Sequence, residues 1–211
     1  MSSHRPRGRQ VPPLNATDFL RRLEALRAKD MHDSMAPIER ENDAILRRIL
    51  HLPQIKCHNC LMWHVAQRFD LAEDFSCTDE YDNTLTWSIA KAEREIAAAQ
   101  LTPIQLTTEQ VWAQLENHDL AISHLDHIPA TAMEQPGIVA WSGVHPHTGE
   151  AISVLINGSH RAARALRDRR PFFAYYLNEA QSQRSLMSPQ ELTALSAALA
   201  RIARLGKNGR K

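Results

Sequence analysis

One stretch, AISVLINGSHRAARALRDRRPFFAYYL over residues 151–177, limits the folds open to this chain more than any other. The apolar run 152–156 predicts a strand, and Asn157-Gly158-Ser159 predicts a tight turn. Residues 160–167 predict a short helix that opens on His160 and Arg161. Pro171 stops it, and residues 172–177 predict a second strand. A strand that turns on glycine into a helix start exposes the unpaired N–H groups and the positive dipole end of the first turn. That is a physical recipe for holding an anion. Ser159, His160 and Arg161 add hydroxyl, imidazole and guanidinium donors there. The same residues also fit two alternatives. Gly158 can be present for backbone freedom alone, or the arginines at 164, 167, 169 and 170 can form a nucleic-acid-facing surface.

Composition narrows the class. With 211 residues, 43% hydrophobic and 23% charged, the chain is long enough for one sizeable core, or for one domain plus a helical extension. No apolar run approaches a membrane span, and MSSHRPRGRQVPP lacks the apolar centre of a signal peptide, so a cytoplasmic protein with no membrane partner is expected. Three cysteines in such a chain argue against a disulfide framework. A net charge of +1 gives no global case for nucleic acid. Residues 161–170, however, hold five Arg against one Asp.

Along the chain, residues 1–14 read as a disordered basic arm. Helical spacing predicts helices over 15–29, 37–51, 61–69 and 86–100, so residues 15–100 read as a helical region. Beyond it come a short extended segment at 102–106 and a helix over 109–117 capped by Thr107 or Thr108. A strand is expected over 120–128, then a loop over 129–137, a strand over 138–141 and a hairpin-like turn over 143–149. Ser188-Pro189-Gln190-Glu191 opens a terminal helix over 188–205, with Leu192, Leu195, Leu199 and Ile202 inward. Trp63, Trp87, Trp112 and Trp141 sit among apolar residues and read as core.

Cys57, Cys60, His64 and Cys77 give the pattern C-x2-C-x3-H-x12-C. Four soft or borderline donors suit tetrahedral zinc, and C-x2-C is a knuckle spacing. The alternative is three small buried cysteines and a core or surface histidine. His124 and His127, three apart on an expected strand, would point to opposite faces and form no ready chelate.

Residues 152–177 resemble the signature segment of the ParB/sulfiredoxin-like superfamily, in the order Val154-Leu155-Ile156-Asn157-Gly158-Ser159-His160-Arg161-Ala162-Ala163, then Pro171-Phe172-Phe173-Ala174-Tyr175-Tyr176-Leu177. The resemblance covers about 26 residues strongly and extends more weakly back to Thr102. It implies an α/β domain over 101–187 in which Gly158, Ser159, His160 and Arg161 contact the phosphates of a nucleotide of ATP or CTP type, with Mg where phosphoryl transfer occurs. Relatives range from DNA-segregation clamps to a free-serine kinase, nucleases and sulfiredoxin. This chain departs from them at Ser159, where sulfiredoxin-like turns carry the reactive Cys, and at Asn157, where many relatives carry Asp. Only about 34 residues of this sequence follow Leu177, so the helix-turn-helix region of a full segregation protein is not expected.

The expectation is therefore an α+β chain: a helical N-terminal half, a small ParB/sulfiredoxin-like domain and a C-terminal helix. Its expected function is nucleotide or phosphate binding, with phosphoryl transfer or hydrolysis where a carboxylate base is available. Glu134, Glu150 and Glu179 are the candidates for that base, and no spacing rule selects among them. The alternatives are a non-catalytic interaction module, or a nucleic-acid-binding protein using Arg164 and Arg167.

Overall fold

A computed structural model describes residues 37–71, 73–78, 84–116, 118, 120 and 122–208. The arm expected over 1–14 and the helix expected over 15–29 lie outside the described residues. The described chain is mixed α+β, with helices packed around two small sheets. It runs through α1 (Pro37–Ile49), α2 (His58–Arg68), β1 (Asp74–Thr78), β2 (Thr84–Ser88) and α3 (Ile89–Ala98). It continues through β3 (Ile104–Leu106), α4 (Thr108–Leu115) and two 3-10 helices, Ile122–His127 and Ala130–Glu134. β4 (Gly137–Val144), β5 (Ala151–Asn157), α5 (Ser159–Arg167), β6 (Phe172–Tyr176), α6 (Glu179–Arg184) and α7 (Pro189–Asn208) complete it.

The larger sheet has the order β3-β6-β4-β5. β4 and β5 form an antiparallel hairpin, β6 runs parallel to β4, and the short β3 pairs antiparallel with β6. Strand alternation sends neighbouring side chains to opposite faces, so each face builds its own core. Val139, Leu155, Phe172 and Ala174 pack with Val111 and Leu115 of α4 and with Leu125 of the first 3-10 helix. α5 buries Ala162, Ala163 and Ala165 in this core, small side chains that let its backbone lie close to the sheet. Ile138, Ala140 and Ile156 face the other way, against Trp87, Ile89, Ala92 and Leu177.

Several elements depart from the sequence expectation. The helix predicted from residue 86 starts at Ile89, because Thr86, Trp87 and Ser88 belong to β2 and pair with β1. Thr and Trp fit a pleated, half-buried surface, and Trp87 is 1% exposed. The N-terminal region is thus not purely helical; a β-hairpin lies between α2 and α3. Residues 122–127 form a 3-10 helix in place of the expected strand. Ile122, Leu125 and Ile128 recur every third residue, the period at which 3-10 side chains align, and Leu125 and Ile128 are buried. Trp63 is exposed rather than core. In α7, Ile202 is buried but Leu192 and Leu199 are exposed. That helix touches α1 and is anchored to α3 near its first turn, which leaves much of its stripe facing outward.

The anchor is polar. Ser188 N donates to Glu191 Oε2 at 2.6 Å, Glu191 N donates to Ser188 Oγ at 3.3 Å, and Lys91 Nζ donates to Glu191 Oε2 at 2.6 Å. The Lys91 ammonium and the capping bonds hold the Glu191 carboxyl down at about 2. A depressed folded-state value adds stability above the ordinary carboxyl range, and that stability is lost as pH falls towards about 2. Urea midpoints measured from pH 6 down should therefore fall less steeply for Glu191→Gln than for the wild type. Parallel curves would contradict the coupling.

Candidate functional site

The turn between β5 and α5 has the geometry its sequence calls for. Gly158 is the N-cap of α5 with φ 98°, in the left-handed region that glycine tolerates best. It has no side chain, so no side-chain oxygen caps the first turn. A Cβ at Gly158 would lie 3.0 Å from Arg161 Nη2 and 3.2 Å from the Cα of Gly137. A Cβ at Gly137 would lie 2.7 Å from Phe172 Cζ and 2.9 Å from the carbonyl oxygen of Asn157. The start of β4 and the end of β5 thus meet backbone to backbone.

Arg161 turns back onto this crossing. Its Nη2 donates to Asn157 Oδ1 at 2.8 Å and to the Pro136 carbonyl at 3.3 Å, while Nη1 reaches Gln135 Oε1 at 3.5 Å. Its buried Nε has no hydrogen-bond partner among the described residues. The Asn157 amide in turn donates to Glu73 Oε1 at 3.4 Å. Loss of water around the Glu73 carboxyl pushes its pKa up, and the Arg161 charge pulls in the opposite sense. Glu73 is thus the carboxylate beside the turn. It precedes Asn157 by 84 positions, and no local pattern marks it. The carboxylates favoured by sequence do not supply contacts there. Glu134 is exposed on the second 3-10 helix, Glu150 meets Thr148 in the β4–β5 hairpin, and Glu179 accepts from Gln183 in α6.

Further along α5 the arginines are engaged with their own surroundings. Arg164 donates to Asp168 and to the Ile128 carbonyl, and Arg167 pairs with Asp126 at 2.7 Å and Asp168 at 2.9 Å. These bonds tie the last turn of α5 to the first 3-10 helix. Arg167, Arg169 and Arg170 also line a groove of about 970 Å³ with Glu109 and Trp112. The groove lies at the C-terminal end of α5, away from Gly158.

The cysteine knuckle meets α5 from another side. Arg47 of α1 donates to the carbonyls of Ile55 (2.6 Å) and Lys56 (3.1 Å), just before Cys57. Asp43, 4% exposed, takes Arg47 at 3.2 Å and His58 Nδ1 at 3.0 Å. This network fixes the chain on both sides of Cys57. The Sγ atoms of Cys57 and Cys60 lie 3.3 Å and 3.6 Å from the same atom, His124 Nδ1. The three donor atoms fall within 4.8 Å of one another and could hold a metal ion. Burial and the neighbouring Cys57 thiol push Cys60 up to about 11, whereas burial and the nearby His127 hold His124 below its ordinary value. The ligand set expected from spacing is therefore revised. His64 packs edge-on against Trp63 at 4.8 Å, and Cys77 lies in β1, packed against the Trp87 core. Neither belongs to the group.

His160 joins the two features. As the second residue of α5 it belongs to the turn, yet its ring sits 5.1 Å from that of His124, edge to face. The Asn59 amide, between the two cysteines, donates to His160 Nε2 at 3.4 Å. His118 serves the scaffold, donating through Nε2 to the Leu155 carbonyl at 2.7 Å and stacking on Phe75.

Gly158→Ala should cost about 1–3 kcal/mol through left-handed backbone strain and the close Arg161 and Gly137 contacts. An unchanged urea midpoint would contradict the crossing. Comparison of the chain with known protein families, with curated proteins and with solved structures returns no match.

Proposed function

We propose that this chain binds the phosphate group of a nucleotide or phosphorylated small molecule at the β5–α5 turn. The observation that carries the proposal is the α5 N-terminus at Gly158, left without a side-chain cap at the end of a sheet strand. Amides of the first turn carry partial positive charge, and an anion there completes what an Asp or Ser cap completes in other helices. Ser159 supplies a hydroxyl at the same place. Arg161 acts from behind: its guanidinium braces the turn against Asn157 and Pro136, and its charge raises the local potential. The strand–turn–helix–strand order of β5, α5 and β6 agrees with the ParB/sulfiredoxin-like resemblance that suggested a nucleotide.

Glu73 gives the site a second capacity. A carboxylate whose pKa is raised by desolvation is better placed to take a proton near neutral pH than an exposed one. A phosphoryl acceptor or a water bound beside it could pass its proton to Glu73, and Mg, where bound, would offset the charge of the phosphate. Binding needs only the turn, whereas transfer or hydrolysis would also need Glu73.

Ser159→Asp separates ligand binding from folding. A carboxylate in the first turn favours the helix dipole, so the chain should remain as stable as the wild type or more so. The same charge should repel a phosphate and weaken binding by about tenfold or more. Thermal shift with ATP, CTP, GTP and inorganic phosphate, with and without Mg, should raise the wild-type midpoint and raise that of Ser159→Asp far less at the same ligand concentration. No response of the wild type to any of them would end the proposal.

A further inference from the structure

We infer that Cys57, Cys60, His124 and His160 form a zinc site that pins the start of α2 and the first 3-10 helix to the first turn of α5. The inference rests on the donor set alone and stands whether or not the turn binds phosphate.

Two sulfurs converge on one imidazole nitrogen, at 3.3 Å and 3.6 Å from His124 Nδ1. A single ring nitrogen has one lone pair or one hydrogen in its plane, so it satisfies one thiol well and not two. A common ion satisfies all three. With Zn–S of about 2.3 Å and Zn–N of about 2.0 Å, tetrahedral geometry puts sulfur and nitrogen about 3.5 Å apart, and the two separations here straddle that value. Two imidazoles on one tetrahedral zinc have ring centres about 5 Å apart by the same geometry. His124 and His160 are 5.1 Å apart. His160 is not one of the three grouped donors, its Nε2 lying beside Asn59, so in the proposed site it turns about its side-chain torsions to supply the fourth ligand.

Thiolates and imidazoles in equal number favour zinc over magnesium or calcium, which take oxygen ligands. The surroundings also fit a metal site. The Asp43–Arg47–His58 network holds the knuckle backbone from outside, as supporting shells around metal ligands do. In this arrangement His160 gives its ring to the metal, and the first-turn amides remain for an anion. Zinc then holds together three segments that are distant in sequence, next to the turn.

X-ray absorption at the zinc edge tests this on the unaltered full chain, loaded with Zn(II) during expression or after purification. The expected result is about one zinc per chain with two sulfur and two nitrogen neighbours. Three sulfur neighbours would point to Cys77 as a ligand and overturn the assignment, as would a folded chain that stays zinc-free after loading. Variants give an independent check by chelator competition. His124→Asn should lose the metal, His160→Ala should weaken it by roughly tenfold or more, and His64→Ala and Cys77→Ser should keep it. Unchanged affinity in His160→Ala would remove His160 from the site. Where a cysteine variant fails to fold, the absorption spectrum of the wild type still decides.

Discussion

β4 begins beside the end of β5, where Ile138 pairs with Asn157 and a Cβ on Gly137 or Gly158 has no room. A Cβ on Gly158 would press on the Cα of Gly137, and one on Gly137 would press on the Asn157 carbonyl and the Phe172 ring. This contact sets where α5 leaves the sheet. With its origin set, the helix must run close over the strands, and its alanines are the side chains that permit this. The same crossing puts Pro136 and Asn157 within reach of Arg161, so one guanidinium bonds to both ends of the junction. Removing either glycine would shift the helix start, and with it the arginine and the histidine on its first turn.

Charge around α5 follows the helix itself. Arg164 and Arg167 sit in its last turn, where the dipole favours cations, and their bonds to Asp126, Asp168 and the Ile128 carbonyl hold that end in place. The high arginine content of residues 161–170 thus serves the fold in part, and this weakens the case for a nucleic-acid surface built on those two residues. At the other end the dipole is positive and uncapped, and Arg161 adds to it while Glu73 moderates it. An anionic ligand would meet a site whose positive charge comes mainly from fixed amides rather than from a mobile side chain. Such a site loses little conformational entropy on binding.

How much of the fold is legible in the sequence depends on the range of the interactions. β5, α5 and β6 can be placed because apolar runs, a glycine turn and Pro171 are local signals. The caps of α4 and α7 are legible for the same reason, through Thr107–Gln110 and Ser188–Glu191. Residues 122–127 read as a strand because a mixed apolar segment fits two periods. The spacing Ile122, Leu125, Ile128 is the signal for period three. Taking the wrong period hides His124, since a strand does not mark it as a ligand. The hairpin of β1 and β2 is hidden because Thr86, Trp87 and Ser88 also fit the start of a helix, and pairing with another segment decides the matter. Glu73 cannot be found at all. Its proximity to Asn157 is a tertiary fact with no local trace. The group that could hold a metal is half legible, since C-x2-C is a local pattern, but His124 comes from elsewhere in the chain.

The proposed function requires that an anion bind on the first turn of α5. Amide-resolved NMR of the full chain during titration with inorganic phosphate, then with ATP or CTP, tests it most directly. The largest shifts should fall at the amides of Ser159 and Arg161, saturating with ligand, with small changes at Arg169 and Arg170. Shifts centred on Arg169, Arg170 and the groove beside Trp112, or no saturable shift at Ser159, would contradict it.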